Sequence, residues 1–322
     1  MHILRIYDIV YIIIRPEEFM TDMTDFQSKI SLSLPHIKFA FFEPMAAHTS
    51  FKIGGAAEVM VFPKNHEELS EILKVSALLD IKPAILGAGT NILAPDEGIP
   101  GLVLCLKDGL DGLSVENERD VRVGAGVSMT RLAVFAANHG LSGLEFAHGI
   151  PGSVGGGVYM NAGAYGGEIK DVCISVDVMT MDGQLHTYTA EEMAFSYRHS
   201  RLEEEQGIVV GAVFRLTPKS PEEIKSYMQE LAGKRRASQP LDKPSAGSAF
   251  KRPVGGYAAA LIDGAGLKGY QVGGAAVSEK HAGFVVNLGG ATAADVKRLL
   301  QEVSDIVMEK SGIRLEPEVR IW

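Results

Sequence analysis

Apolar residues recur along the chain with two different periods, and the switches between them mark the elements. Asn65-His66-Glu67-Glu68 has the form of a capping box, and Leu69, Ile72, Leu73 and Leu79 follow at helical spacing. The run 83–86 (PAIL), 101–106 (GLVLCL) and 121–127 (VRVGAGV) read as strands. Met129 to Asn138 reads as a helix that stops at Gly140. Residues 172–189 alternate like a hairpin around Asp182-Gly183, and 207–218 (GIVVGAVFRLTP) closes that region as a further strand. Pro218 and Pro221 bracket a domain boundary, and a Lys/Glu-rich helix then runs into Lys234-Arg235-Arg236. In the last third, 281–288 (HAGFVVNL) reads as a strand. Thr292-x-x-Asp295 opens a helix from Ala293 to Lys310, with Val296, Leu299, Leu300, Val303 and Ile306 on one face. Gly312 ends it, and 313–321 (IRLEPEVRI) reads as a final strand. The mixture is an α+β pattern without internal repeats.

Composition narrows the class. With 322 residues and 46% hydrophobic content the chain can bury a large core in more than one domain. A net charge of −9 argues against nucleic acid or an acidic membrane as partner, while leaving room for a local basic pocket. Cys105 and Cys173 sit in apolar strand-like contexts without metal-binding spacing, so reduced core thiols and no metal site are expected. No apolar run reaches the ~20 residues of a membrane span. The N-terminal run is broken by Arg5 and Asp8 and lacks a small-residue cleavage site, which argues against a secretory signal. With Met20 and Met23 as later starts, the first stretch is expected to be an extension outside the folded core of a cytoplasmic, monomeric protein.

Glycine carries the candidate chemistry. GAGTNI (87–92) and GAGVSM (124–129) lack the third glycine of a dinucleotide fingerprint; GAGLKG (264–269) has it, but a helical stretch precedes it where a strand is required. Taken together the clusters say more. HTSFKIGG (48–55), LGAGTNIL (86–93) and GIPGSVGGGVYMNAGAYGGEI (149–169) fall in one domain-sized region, and eight of the last segment's 21 residues are glycine. Each mixes glycine with Thr, Ser or Asn. Bare backbone approaches a ligand closely and turns N–H groups toward it. Such surfaces suit a pyrophosphate or the polar edge of a planar ring; tight turns at sheet edges are the alternative.

These segments, with SYRHSRL (196–202), PSAGSAFKRP (244–253), GLKGYQVGGAAVSEKHAGFVVN (266–287) and LEPEVR (315–320), resemble the UDP-N-acetylenolpyruvoylglucosamine reductase family in sequence and in order, over Glu43 to Arg320. The resemblance implies FAD, bound noncovalently in a two-subdomain module of the vanillyl-alcohol-oxidase type over 43–217. A C-terminal α+β substrate-binding domain follows over 218–322, and 1–42 forms the extension and lead-in. It places FAD against Ile53, Gly54 and Gly55; Gly87, Ala88, Gly89, Thr90, Asn91, Ile92 and Leu93; and Gly149, Ile150, Pro151, Gly152, Ser153, Val154, Gly155, Gly156, Asn161, Ala162 and Gly163. No covalent link through His48 or His148 is implied. Residues 198–235 leave no room for the family's extra tyrosine-bearing loop, so the shorter, loop-lacking type II is expected.

The implied reaction reduces UDP-N-acetylglucosamine enolpyruvate with NADPH. Ser248 matches the family's proton donor, and Arg198 and Glu318 match the other two catalytic positions. A serine hydroxyl is a weak acid, but an enolate carbon is strongly basic and positioning compensates. Arg198 would hold the carboxylate with its planar fork; Glu318, if it carries a proton, would polarise the enolate. Outside the family context Ser248 reads as a turn residue, and Arg198 and Glu318 as solvated charges. Tyr197, Arg235, Gln239, Lys251 and Arg320 are the expected substrate contacts, Arg235 on the diphosphate in place of the missing tyrosine. Two further readings stay open: a related FAD-dependent oxidase or dehydrogenase on another sugar acid or alcohol, and a catalytically silent flavin- or nucleotide-binding protein.

Overall fold

The computed structural model describes residues 25–322; the expected N-terminal extension falls largely outside the described residues. Two sheets build the first part of the chain. In one, Phe39–Pro44, Ala56–Val61, Ile99–Cys105 and Ala84–Leu86 lie side by side in that order; the first pair is antiparallel, the rest parallel. The helix His66–Leu78 packs on this sheet with Leu69, Ile72 and Leu73 buried; Asn65 caps it by accepting from the Glu68 N–H, as the capping box predicts. The other sheet is antiparallel, in the order Leu185–Thr189, Cys173–Thr180, Gly207–Arg215, Asp120–Gly124 and Leu113–Val115. Its central strand Gly207–Arg215 is buried along nearly its whole length, which is why its sequence is an unbroken apolar run instead of an alternation. The hairpin expected around Asp182-Gly183 forms, but 121–127 is a strand only as far as Gly124, where the chain turns.

The C-terminal part builds a second core, which Phe51, Ile53 and Leu93 of the first part join. Ser245–Ser248, Phe284–Asn287, Ala275–Val277 and Gln271–Val272 form an antiparallel sheet. The amphipathic helix Ala293–Ser311 lays Val296, Leu299, Leu300, Val303 and Val307 against it. That helix opens with the expected Thr292/Asp295 capping box and ends at Gly312, whose φ of 74° favours glycine.

Two expectations change in detail. The helix Pro221–Ser238 follows the anticipated border at 217/218, yet it buries Ile224 and Met228 in the core of the first part. The second core holds residues from Ala246 to Val319 together with Phe51, Ile53 and Leu93 of the first part, and no residue of the helix Pro221–Ser238. Residues 313–321 do not run as one strand. Phe250 bridges Pro317, with Lys251 N–H donating to Glu316 O and Glu318 N–H to Ala249 O. The tail then changes partner, and Arg320–Ile321 pairs in parallel with Ile92–Leu93 of the first part. Pro317 has no N–H to continue a ladder, so the switch falls there. Asp96 also ties the two parts, accepting from the N–H groups of Ala293 and Ala294 at 2.7 and 3.0 Å. No described helix is long and apolar enough to cross a membrane.

Candidate active site

A cavity of about 1170 Å³ lies between the two parts, walled by the glycine segments on one side and by 245–248 and the C-terminal tail on the other. It exceeds the roughly 300–1,000 Å³ of a site for one drug-sized ligand, so an extended cofactor and a second ligand can share it.

Gly87 to Ile92 and Gly149 to Ser153 line the wall, as do Gly155, Gly156, Ala162 and Gly163. The second segment is not all loop: Val154–Tyr159 is a short helix whose Ser153 cap accepts from the Gly156 N–H. Three glycines in six residues hide it from a propensity reading. The glycines have different jobs. A side chain on Gly155 would meet Ala125 Cβ at 2.9 Å, so this glycine lets the helix pack on its own protein. One on Gly156 would meet no protein atom nearer than Ser153 Oγ at 3.6 Å, and the space above it is cavity. That bare ledge fits a cofactor pressed against backbone.

Ile53, Gly54, Gly55, Leu93, Val154 and Asn161 are not on the cavity wall. Ile53, Leu93 and Val154 are buried in the hydrophobic cores, Gly54 and Gly55 pack against Ala94 and the backbone of 96–98, and Asn161 is buried with its amide bonded within the protein. His48 pairs with Glu43 at 2.7 Å and is not on the wall either, nor is His148.

The three expected catalytic groups all line the cavity. Arg198 sits in a two-residue turn with a φ of 56°, and its Nε donates to Glu318 Oε1 at 2.7 Å. Glu318 is held at both backbone ends: its N–H donates to Ala249 O, next to Ser248, and its carbonyl accepts from Asn91 Nδ2 at 3.1 Å. A residue of the glycine-containing loop 87–92 thus ties down the C-terminal tail.

Of the expected substrate contacts, Arg235, Gln239 and Arg320 line the cavity; Tyr197 and Lys251 do not. The Tyr197 hydroxyl accepts from the Arg252 N–H at 3.1 Å, and Lys251 pairs with Glu316 at 3.5 Å. The basic run divides by direction. Lys234 pairs with Glu230 in solvent, whereas Arg235 turns inward, is 8% exposed, donates Nη1 to Gly149 O and leaves its buried Nε without a partner. Burial pushes the Arg235 guanidinium below its usual range, partly offset by Tyr165 beside it. Arg320 is engaged by Glu203, a cavity residue the sequence reading missed. Burial pushes the Glu203 carboxyl up, but His199 and Arg320 outweigh it and hold it low. His199, four residues earlier, is a local partner of Glu203, but Arg320, which places it at the cavity, lies on the distant tail. Both cysteines are free and buried, and burial pushes the Cys173 thiol up to about 12. Among the described residues no cluster could hold a metal ion.

Residues 57–189 match an FAD binding domain family, and residues 239–322 match the C-terminal domain of UDP-N-acetylenolpyruvoylglucosamine reductase. The chain is 48% identical over 307 residues to the UDP-N-acetylenolpyruvoylglucosamine reductase of Agathobacter rectalis, which covers 92% of this chain and 98% of that one. It belongs to the UDP-N-acetylenolpyruvoylglucosamine reductase family. The reductase of Streptococcus pneumoniae strain 70585 is 46% identical over 288 residues, 89% of this chain and 95% of its own. The crystal structure of the Thermus caldophilus reductase aligns with a TM-score of 0.76 at 37% identity, over 89% of this chain and 99% of that one. The chain is therefore an FAD-dependent oxidoreductase with the vanillyl-alcohol-oxidase type of module and the family's C-terminal domain. Between Arg198 and Arg235 the chain is taken up by the turn Arg201–Glu203, the strands Gly207–Arg215 and Thr217–Pro218, and the helix Pro221–Ser238, the arrangement expected of a loop-lacking reductase.

Proposed function

We propose that the protein reduces UDP-N-acetylglucosamine enolpyruvate to UDP-N-acetylmuramate with NADPH as electron donor, in cytoplasmic peptidoglycan precursor synthesis. The observation that carries this reading is the convergence of Arg198, Ser248 and Glu318 on one cavity beside a bare-backbone wall. Gly87–Ile92, Gly149–Ser153, Gly156, Ala162 and Gly163 would hold FAD noncovalently. FAD, when bound, carries the hydride equivalent from NADPH to the β-carbon of the enolpyruvyl group.

The chain itself handles charge and proton. Negative charge grows on the substrate carboxylate as the α-carbon becomes an enolate carbon. Glu318 occupies the Nε of Arg198, so the carboxylate would be met by the Nη nitrogens, a fixed cation aimed where charge develops. Glu318 holds that cation in register and, if it carries a proton in the substrate complex, is a second polarising group at the enolate. Ser248 Oγ delivers the proton to the α-carbon. Arg235 and Gln239 hold the diphosphate end, and Arg320 exchanges Glu203 for a substrate anion.

The test is optical. Purified protein should be yellow, bleach anaerobically with NADPH, and regain its flavin absorbance when the enolpyruvyl nucleotide is added. A flavin that bleaches but is not reoxidised by that nucleotide would reject the substrate assignment.

A further inference from the structure

Asn161 is polar, wholly buried and outside the cavity wall, yet its neighbours Met160, Ala162 and Gly163 form that wall. Its amide is almost fully used. Nδ2 donates to Ser196 O at 2.8 Å and to Glu168 Oε2 at 2.9 Å, while Oδ1 accepts from the Lys170 N–H at 3.0 Å. Ser196 opens the turn that carries Arg198. That turn is closed by the reciprocal bonds between Ser196 and His199, at 3.1 and 3.2 Å, with the Arg201 N–H donating to Met193 O at 2.8 Å beyond them. Arg198 at its tip lies in the left-handed region, which a non-glycine residue occupies only when its surroundings hold it there. From the C-terminal side the turn is held by the Glu318 carboxylate on Arg198 Nε and by the Arg252 N–H on the Tyr197 hydroxyl; the remaining groups come from residues 159–163. Besides the Asn161 bond, Ser200 Oγ donates to Tyr159 O at 2.8 Å, and Arg198 Nη2 donates to Gly163 O at 3.3 Å.

We propose that Asn161 is a positioning residue for Arg198: by binding the Ser196 carbonyl it fixes the guanidinium to the cofactor wall. This rests on the reading of Arg198 as the group that meets the substrate carboxylate. It differs from a plain core role because its effect should run through Arg198, and so fall on the step that uses the enolpyruvyl nucleotide.

The experiment compares Asn161→Ala, Asn161→Asp, Arg198→Ala and the double variant Asn161→Ala/Arg198→Ala, each as the FAD-loaded enzyme. Stopped-flow absorbance follows flavin reduction by NADPH and, separately, reoxidation by UDP-N-acetylglucosamine enolpyruvate. Asn161→Ala should slow reoxidation at least about tenfold more than reduction, the size of one lost buried hydrogen bond in a transition state. The double variant should be no slower than Arg198→Ala alone. Asn161→Asp keeps the acceptor for Lys170 but, when ionised, has no proton for Ser196 O. Its reoxidation rate relative to the parent should rise as pH falls and the acid form returns, a response that a purely structural loss does not give. Effects that multiply in the double variant, or equal slowing of both steps, would overturn the inference. Loss of FAD from both Asn161 variants would also overturn it and return Asn161 to the cofactor site. If Arg198→Ala leaves reoxidation unchanged, the reading of Arg198 fails first; if Arg198→Ala slows it and the Asn161 variants do not, only the inference fails.

Discussion

Arg198 and Glu318 stand 120 residues apart in sequence and 2.7 Å apart in space, joined by an Nε–H to carboxylate bond. The bond crosses from the FAD-binding part to the C-terminal tail. Side-chain exposures of 21% and 12% put the pair at the cavity's edge, neither in open solvent nor sealed in the core. Asn91 fixes the Glu318 carbonyl, and Ala249 fixes its N–H beside Ser248. Four segments thus set the geometry of the proposed catalytic pair, and the two parts of the chain cannot separate without dissolving it.

The two adjacent glycines of the cavity helix should part company on substitution. Gly156→Val adds bulk into cavity space, so the protein should fold with little change in thermal stability and lose FAD. Gly155→Val drives a side chain into Ala125 and should lower stability before any cofactor effect is read. Flavin content and the thermal midpoint of the apoproteins check both. Full FAD occupancy in Gly156→Val would contradict the assignment of that ledge.

Arg235→Ala should raise the Michaelis constant for the enolpyruvyl nucleotide. A lost charged hydrogen bond of ~1.5–3 kcal/mol corresponds to roughly 10- to 150-fold. Reduction by NADPH would suffer too if both ligands use this part of the cavity. Unchanged kinetics for both would make Arg235 a prop for Gly149 and nothing more.

The sequence already carried the strongest periodicities and the longest motifs. The helix at 293 was legible because a cap, an apolar face and a stop agree; that at 66 showed a capping box and an apolar face, and that at 129 a glycine stop. The three proposed catalytic residues were legible through family motifs, because nothing in the spacing of Arg198, Ser248 and Glu318 announces that they meet. Three other features depend on tertiary packing. Asn161 looks like a ligand contact in a glycine-rich string, but only the fold shows that it is buried off the cavity wall with its amide bonded within the protein. The helix Pro221–Ser238 follows two prolines that look like a border, yet its apolar face is buried in the earlier core. Glu203 was invisible because its role comes from Arg320, a partner brought in by the tail.

A second ion pair sets an acid limit on stability. Asp120, with its side chain 8% exposed, accepts two bonds of 2.8 Å from Arg215 on the neighbouring strand. The Arg215 hydrogen bonds hold the Asp120 carboxyl below its ordinary range, against the opposing effect of burial. A carboxyl lowered in the folded state stabilises fully above its unfolded pKa, and the contribution is lost as pH falls through the folded value. Asp120→Asn should therefore be less stable than the parent at neutral pH, with the gap narrowing toward acid. Urea unfolding across the acid range reads this directly. A gap constant with pH would show that the pair contributes through shape alone.

The central claim is that Ser248 supplies the proton for the α-carbon, in a cavity where Arg198 and Glu318 stabilise the enolate. Ser248→Ala should load FAD and bleach with NADPH at close to the parent rate, since that step needs no proton from Ser248. Reoxidation by the enolpyruvyl nucleotide should slow by ~10²–10⁴-fold, the usual worth of a positioned general acid. Ser248→Cys should recover part of the rate, because a thiol still donates a proton. Stopped-flow absorbance of the flavin separates the two steps in one instrument. Slow reoxidation with normal bleaching is the result predicted; equal slowing of both steps, or of neither, would contradict the account and leave Ser248 a turn residue on the cavity wall.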